Sequence, residues 1–257
     1  MIRSAVVLLV LLLGNVALAT PEYGYRIIER FPHRSTAFTQ GLLIHDGVLY
    51  EGTGQYGRSG VARLDLEEGA ILDHRPLSGR YFGEGIAIAG DRLYQLTWKA
   101  GLVFVYDVDT LESVTTHYHP GEGWGLTHDG DHLILSDGSD TLQFIRPDDF
   151  SVQRRVRVTR DGLPVHQLNE LEYINGEVWA NVWMSDHIVR IDPQDGKVTG
   201  VVDLSGLSGE TRTSSRESVL NGIAWDEEHG RLLVTGKLWG NLFHIELEPR
   251  ERDGGTP

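Results

Sequence analysis

Five stretches of the chain resemble one another and begin units of similar length. They read TQGLLIHDGVLYEGTG, GEGIAIAGDRLYQLTWK, GWGLTHDGDHLILSDGS, LNELEYINGEVWANVWMSD and LNGIAWDEEHGRLLVTGK. The equivalent positions in the five units are Gly41, Gly85, Gly125, Glu170 and Gly222. Successive units are therefore 44, 40, 45 and 52 residues apart. A period of about forty-five residues with four short strands per unit is typical of a β-propeller. The repeats predict an all-β chain folded as a five-bladed β-propeller.

Turn-forming residue pairs separate the apolar runs within these units. Such pairs stand at 46–47, 90–91, 129–130 and 175–176, and each lies between runs of Val, Leu, Ile, Tyr or Trp. Glycine beside Asp or Asn between apolar runs indicates a tight turn between two strands. The long last interval contains the polar stretch 205–218, which has no strand pattern and is predicted to be a loop insertion on one face.

The fifth unit is one strand short, and the N-terminal region can supply the missing strand. Only three strand-like runs follow Asn221, whereas the stretch YGYRIIERF at 23–31 precedes the first unit. We predict that this N-terminal strand joins the last blade, closes the ring and removes the last unpaired strand edge. A β-sandwich whose strands are similar by accident is the alternative fold.

The first nineteen residues have the pattern of a signal peptide. Arg3 is followed by the apolar run AVVLLVLLL at 5–13, which is too short to span a bilayer, and by the small residues ALA at 17–19. A retained N-terminal anchor is the alternative. The expected organisation is a signal peptide at 1–19, a propeller domain at 20–250 and a disordered tail at 251–257. Such a chain would be exported to the periplasm or the extracellular space.

Composition restricts the partners. The chain contains no cysteine, so an exported domain must be held by its core without disulfides, and a lipid anchor on cysteine is excluded. The formal net charge of −14 argues against nucleic acid or an anionic membrane surface as a partner. After removal of the signal peptide, no membrane association is expected, and we expect a monomer.

The repeat brings equivalent side chains together around one axis. The innermost strand of each propeller blade lines the central channel, so the residues before the aligned positions should gather at one mouth. This first ring consists of Gln40, Glu84, Trp124, Asn169 and Asn221. The next strands run back to the same face and predict a second ring of Glu51, Trp98, Ser136 with Asp137, Trp183 and Lys237. Aromatic walls around a few convergent polar groups are typical of a small-ligand pocket.

At these motifs the chain resembles a known family. The strings FTQGL, GEGI, QLTWK, GWGL, LNELEY, ANVW and TGKLW resemble those of the plant and bacterial type of glutaminyl-peptide cyclotransferase. The resemblance covers nearly all of the chain after residue 19. It implies a five-bladed propeller, unrelated in fold to the zinc-dependent animal enzymes, that converts N-terminal glutamine of peptides and proteins into pyroglutamate and releases ammonia.

The resemblance also implies roles for individual residues. It makes Glu84 the catalytic acid–base group and gives substrate-pocket roles to Gln40, Trp98, Trp124, Asn169, Trp183 and Lys237. Lys237 or Asn169 could also stabilise the oxyanion, and Asn221 joins the substrate-binding set by repeat alignment alone. Each side chain has a structural alternative: a carboxylate in a turn for Glu84, an ion-pair partner for Lys237, a cap or backbone bridge for the amides, and inter-blade core for the tryptophans.

No metal or cofactor is expected for this chemistry. The stretch HQLNELE at 166–172 lacks the spacing of a zinc motif, although a surface calcium ion stays open. Two other functions compete. A calcium-dependent propeller lactonase or hydrolase would need several carboxylates at the axis, and the first ring contains only Glu84. A non-enzymatic secreted propeller that binds a peptide or protein could use the same tryptophans.

Overall fold

The computed structural model describes residues 19–211 and 215–250. The predicted tail at 251–257 and residues 1–18 of the predicted signal peptide lie outside this part of the chain, as do three residues of the predicted insertion. Within the described residues, no helix is long and apolar enough to cross a bilayer.

The described residues form strands and one short 3₁₀ helix, which confirms the prediction of an all-β chain. The first strands are β1 (Glu22–Pro32), β2 (Thr39–His45), β3 (Val48–Thr53), β4 (Gly60–Leu64), β5 (Ile71–Pro76), β6 (Gly83–Ala89), β7 (Arg92–Thr97), β8 (Leu102–Asp107), β9 (Ser113–Tyr118), β10 (Leu126–His128) and β11 (Leu133–Leu135). They are followed by β12 (Thr141–Ile145), β13 (Val152–Arg157), β14 (Thr159–Arg160), β15 (Leu163–Pro164), β16 (Leu168–Ile174), β17 (Glu177–Val182), β18 (His187–Ile191), β19 (Val198–Asp203), the 3₁₀ helix η1 (Leu207–Thr211), β20 (Leu220–Asp226), β21 (Arg231–Gly236) and β22 (Asn241–Pro249).

Most strands pair with their neighbours in sequence. Three antiparallel sheets contain β2 to β5, β6 to β9 and β10 to β13, and β14 pairs with β15 as a small hairpin. The other strands form an eight-stranded sheet in the order β16-β17-β18-β19-β1-β22-β21-β20. This sheet contains two runs of four strands, which meet where β1 lies parallel to β19 at Glu22 and Tyr23.

The N-terminal strand lies where the sequence predicts it. β1 pairs antiparallel with β22 from Tyr23, opposite Pro249, to Pro32, opposite Asn241. It therefore adds the fourth strand to the run that begins with β20. The additional parallel contact with β19 was not predicted, and it covers the edge that β19 would otherwise expose.

The first strands of the five repeats surround a common axis, which gives the chain a propeller-like arrangement. β2 contacts β6 and β20, β6 contacts β10, and β16 contacts both β10 and β20. Glycine permits this close approach. A Cβ at Gly41 would lie 2.5 Å from the backbone nitrogen of Ile86, and one at Gly125 would lie 1.9 Å from the carbonyl oxygen of Asn169.

The core lies between neighbouring sheets. One apolar cluster joins Leu43 and Val61 of the first sheet to Ile86 and Leu93 of the second. Burial of each such side chain is worth about 1.5–3 kcal/mol relative to exposure. These apolar layers hold each sheet in a fixed orientation around the axis. They therefore also fix the positions of the side chains at the two ends of the axis.

Candidate active site

A cavity of about 430 Å³ opens at the end of the axis where the first strands begin. It contains seven of the predicted site residues, which come from all five repeats: Gln40, Glu84, Trp98, Trp124, Asn169, Trp183 and Lys237. It is completed by Phe38, Gln55, Phe82, Met184, Arg216, Glu217 and Val219. The sequence did not single out this second set.

The polar residues of the first ring lie at irregularities in strand pairing. Gln40, Glu84, Asn169 and Asn221 are each the second residue of a first strand. The ladder pairs Gly83 with Thr97 and next Ile86 with Gln95, so Glu84 has no partner in it. The same shift in register occurs at the other three positions. A bulge can redirect a side chain next to an active site, so these residues point to the axis instead of following the strict alternation of a strand.

Glu84 is buried in the cavity without a hydrogen-bond donor. Its exposed fraction is 4%, and none of the described residues donates a hydrogen bond to its carboxylate. Burial raises the pKa of the Glu84 carboxyl well above its usual range; the charge of Lys237 opposes this shift and that of Glu122 adds to it. Glu84 is therefore a basic carboxylate that is free to exchange a proton with a ligand.

Lys237 supplies a buried cation on the other side. It follows the end of β21, is 5% exposed, and its Nζ lies 4.9 Å from the ring centroid of Phe38. Burial lowers the pKa of Lys237 to about 8, while the charges of Glu84 and Glu217 counteract this effect. No hydrogen bond joins Lys237 to Glu84 among the described residues. The two groups act on each other through their charges across the cavity.

Asn221, which the sequence predicts in the substrate-binding set, is not among the residues that line the cavity. Its side chain is fully buried, and its Nδ2 donates to the carbonyl oxygen of Thr39 at 2.9 Å and to Oε1 of Gln40 at 3.2 Å. Because a carbonyl oxygen only accepts, the contact with Thr39 fixes the orientation of the Asn221 amide. Oε1 of Gln40 is therefore an acceptor, which leaves the Nε2 donor of Gln40 for the cavity.

Asn169 keeps its amide for the cavity. It is 3% exposed, and its backbone oxygen accepts a hydrogen bond of 2.6 Å from Ser136. Its side-chain Oδ1 is buried and has no hydrogen-bond partner among the described residues. A buried polar group without a partner is costly unless a ligand satisfies it.

Two groups of aromatic rings form the walls. Phe82 contacts Phe38 and Trp98, with ring centroids 6.0 and 5.5 Å apart. Trp124 and Trp183 meet edge to face at 5.5 Å. Phe38 and Phe82 each stand two residues before a first-ring residue, a repeat signal that could have identified them. Arg216 and Glu217 come from the insertion, for which the repeats carry no signal.

Part of the predicted second ring lies elsewhere. Ser136 and Asp137 are absent from the cavity lining, and so is Glu51. The Glu51 carboxylate is fully buried and accepts hydrogen bonds from Arg34 at 2.6 Å, Thr39 at 2.7 Å and His33 at 3.1 Å. Burial alone would raise the pKa of Glu51, but the charge and hydrogen bond of His33, together with Arg34, lower it to about 2. Glu51 is thus held by the chain that enters β2 and cannot turn toward the cavity.

Comparisons with known proteins agree with this geometry. The sequence profile of the glutamine cyclotransferases matches residues 4–247. The chain belongs to the glutamine cyclotransferase family. Within this family, a glutaminyl-peptide cyclotransferase of Arabidopsis thaliana is 44% identical over 234 residues, which are 90% of this chain and 73% of that protein. The crystal structure of Myxococcus xanthus glutaminyl cyclase is 39% identical and covers 90% of this chain and 100% of its own, with a TM-score of 0.86.

Metal ligands are not assembled in the part of the chain that the structure describes. Among residues 19–211 and 215–250, no group of three or more His, Cys, Asp or Glu side chains is placed to hold a metal ion. The described residues that line the cavity offer a ligand the carboxylates of Glu84 and Glu217, the cationic groups of Lys237 and Arg216, side-chain amides and aromatic faces.

Proposed function

We propose that the chain cyclises N-terminal glutamine of peptides and proteins to pyroglutamate with release of ammonia. The observation that carries this proposal is the Glu84 carboxylate, which is buried, receives no hydrogen bond from residues 19–211 and 215–250, and shares an aromatic cavity with Lys237. Membership of the glutamine cyclotransferase family and the printed function of the Arabidopsis relative support it.

The reaction needs a group that first takes up and then returns a proton. The α-amino nitrogen of the substrate attacks the side-chain amide carbon, and a new carbon–nitrogen bond closes the five-membered ring. Glu84 takes the proton that the amine loses. When the tetrahedral intermediate collapses, the bond to the amide nitrogen breaks, and Glu84 returns the proton to the departing ammonia. The raised pKa of Glu84 suits both halves of this transfer, because it makes the carboxylate a stronger base than an ordinary one.

The amides and Lys237 bind and polarise the reacting glutamine. Lys237 and the amide of Asn169 lie in the cavity as donors for the developing oxyanion. The Nε2 donor of Gln40, oriented through Asn221, is available for a substrate carbonyl. Nucleophile and electrophile belong to one molecule, so the aromatic walls mainly select the folded rotamer in which the two atoms approach.

We also propose that the fold has five blades. Three blades are the four-stranded sheets that begin with β2, β6 and β10. The other two are the four-stranded runs of the eight-stranded sheet, one beginning with β16 and the other with β20 and completed by β1. The five sequence repeats support this division, because each run begins with one repeat.

We also propose where the chain acts and in what state. The pattern of residues 1–19 supports export to the periplasm or the extracellular space. We propose that the chain acts as a monomer without metal or cofactor, because all five repeats of one chain complete the cavity and side chains alone can move the proton. Exhaustive chelation should therefore leave turnover intact.

Incubation of the purified protein with a glutamine-initiated peptide tests the function. Mass spectrometry should show loss of one ammonia per peptide, much faster than in the same buffer without protein. The same peptide with an acetylated amino terminus is the matched control, because it lacks the nucleophile. Binding of the free peptide without any acceleration would contradict the proposal and favour a non-enzymatic binding propeller. Lactone hydrolysis that depends on added calcium would favour the hydrolase.

A further inference from the structure

One carboxylate behind the cavity holds two of its tryptophans. Glu122 lies in the loop between β9 and β10 and does not line the cavity. Its Oε2 accepts a hydrogen bond of 2.8 Å from the indole nitrogen of Trp98 and one of 3.0 Å from that of Trp124. An indole has a single N–H donor. Oε2 of Glu122 therefore accepts the only hydrogen bond that each of the two rings can donate.

A lysine completes this arrangement. The Nζ of Lys99 lies 3.9 Å from the ring centroid of Trp98 and 3.8 Å from Oε1 of Glu122. The indole of Trp98 is thus held at its edge by the carboxylate and on its face by the ammonium group. The Lys99–Glu122 pair is half-exposed and adds little to stability by itself, so the arrangement orients side chains more than it stabilises the fold.

The two tryptophans belong to different sheets and different walls. Trp98 follows β7 and contacts Phe82, whereas Trp124 precedes β10 and contacts Trp183. Glu122 therefore connects the two aromatic walls from outside the cavity. A rotation of either indole would alter the width of the space in which the glutamine must fold back on itself.

We propose that Glu122 is a positioning residue, which fixes the orientations of Trp98 and Trp124 and through them the reactive rotamer of the substrate glutamine. This inference rests on the proposed function. Misplacement of reacting groups by about 1 Å can cost roughly 10²-fold in rate. Loss of Glu122 should therefore lower kcat although Glu122 touches neither substrate nor Glu84.

The charge of Glu122 has a second, separable effect. Lys237 lowers the pKa of Glu84 and Glu122 raises it. Glu217 acts on Lys237, Lys99 faces Glu122, and Arg216 also lines the cavity. A neutral acceptor at residue 122 would thus lower the pKa of Glu84. Since the base must be ionised to accept a proton, activity would then persist to lower pH.

The test compares Glu122→Ala and Glu122→Gln with the matched pair Glu112→Ala and Glu112→Gln. Glu112 is exposed, lies just before β9 and makes no side-chain hydrogen bond among the described residues. We expect Glu122→Ala to lower kcat about 10- to 100-fold and to change the near-ultraviolet circular dichroism of the tryptophans. Glu122→Gln keeps an acceptor oxygen, so it should retain most of kcat but move the acid limb of the kcat profile to lower pH. The Glu112 variants should change neither readout.

Two results would overturn the inference. One is a folded Glu122→Ala variant whose kcat and near-ultraviolet spectrum match those of the unmodified chain. The other, which would remove the effect of the charge of Glu122, is a folded Glu122→Gln variant whose acid limb stays at the original pH. If the unmodified chain cyclises no peptide, the proposed function fails instead, and the near-ultraviolet spectra still report whether Glu122 orients the two indoles.

Discussion

Two buried carboxylates near the central axis are in opposite situations. At the cavity end, Glu84 receives no hydrogen bond from the described residues. Deeper along the axis, Glu170 accepts the backbone N–H of Leu42 at 3.1 Å with one oxygen and that of Ile223 at 2.8 Å with the other. Glu170 thus ties β16 to two neighbouring first strands. Burial raises the pKa of both carboxyls well above the usual range, so it is their hydrogen-bond partners that distinguish a group able to react from one that holds the ring together.

The cavities at the two ends of the axis also differ in the polar groups that line them. The far cavity has a volume of about 410 Å³, close to that of the candidate active site, but the residues that line it include five carboxylates and two histidines beside the apolar ones. One of them, Glu172, accepts the backbone N–H of Trp225 at 3.0 Å, and burial raises the pKa of this carboxyl to about 8. Small-ligand sites are mostly apolar with a few convergent polar groups. The lining, and not the volume, therefore identifies the cavity that contains Glu84.

Glu84→Gln should lower turnover more than any substitution at Glu170. Glutamine keeps the shape of the side chain but cannot take up a proton, and loss of general acid–base catalysis costs about 10²–10⁴ in rate. We expect kcat for a glutamine-initiated peptide to fall by at least about a hundredfold, with KM and thermal unfolding little changed. Glu170→Gln is the matched control and should keep most of kcat. Equal losses of kcat in folded Glu84→Gln and Glu170→Gln would show that hydrogen-bond partners do not distinguish a reacting carboxylate from a structural one.

Glu170→Ala should act on stability instead. It leaves two buried backbone N–H groups without acceptors, and each such group costs about 1–3 kcal/mol. Denaturant unfolding should therefore show a loss of about 2–6 kcal/mol, while kcat of the folded fraction stays close to that of the unmodified chain. Glu228→Ala, an exposed carboxylate at the far cavity, is the control. Unchanged stability of Glu170→Ala would remove its role in joining the strands.

Glu51 is a third buried carboxylate, and it differs from Glu84 and Glu170 because two of its hydrogen-bond partners are Arg34 and His33. Its pKa is lowered to about 2, so the stability that it contributes is present above about pH 4.5 and is lost as the pH falls toward 2. His33, whose pKa is raised by Glu51 against the effect of burial, contributes stability below about pH 6.5 that is lost as the pH rises through its raised pKa. Melting temperatures measured across both ranges should show these losses, and Glu51→Gln should flatten both. If the melting temperature of a Glu51→Gln variant kept the original pH dependence, groups other than Glu51 and His33 would be responsible for that dependence.

The sequence predicts the positions along the axis but not the side-chain partners. The repeats locate Gln40, Glu84 and Asn169 because equivalent positions of a closed ring must meet. The repeats do not reveal that the side chain of Asn221 donates to Gln40. Each first-ring residue lies at a shift in register, so the direction of its side chain does not follow from its position in the repeat. Glu51 also occupies a repeat position, but His33 and Arg34 hold it away from the cavity, and these residues lie outside the repeats.

Residues outside the repeats were likewise beyond prediction. Arg216 and Glu217 reach the cavity from an insertion present in a single unit. Glu122 precedes Trp124 by two residues, and only the fold shows that it also meets Trp98. Such contacts depend on the angle between neighbouring sheets, which a linear repeat does not encode.

Chemical rescue of Glu84→Ala tests the central claim most directly, namely that the carboxylate of Glu84 carries the proton. Removal of the side chain leaves space in the cavity for a small carboxylate. We predict that Glu84→Ala is folded and nearly inactive, that added formate raises its kcat in a saturable manner, and that formate leaves the unmodified chain and Glu170→Ala unaffected. A folded Glu84→Ala variant that cyclises a glutamine-initiated peptide at nearly the unmodified rate without formate would contradict the account.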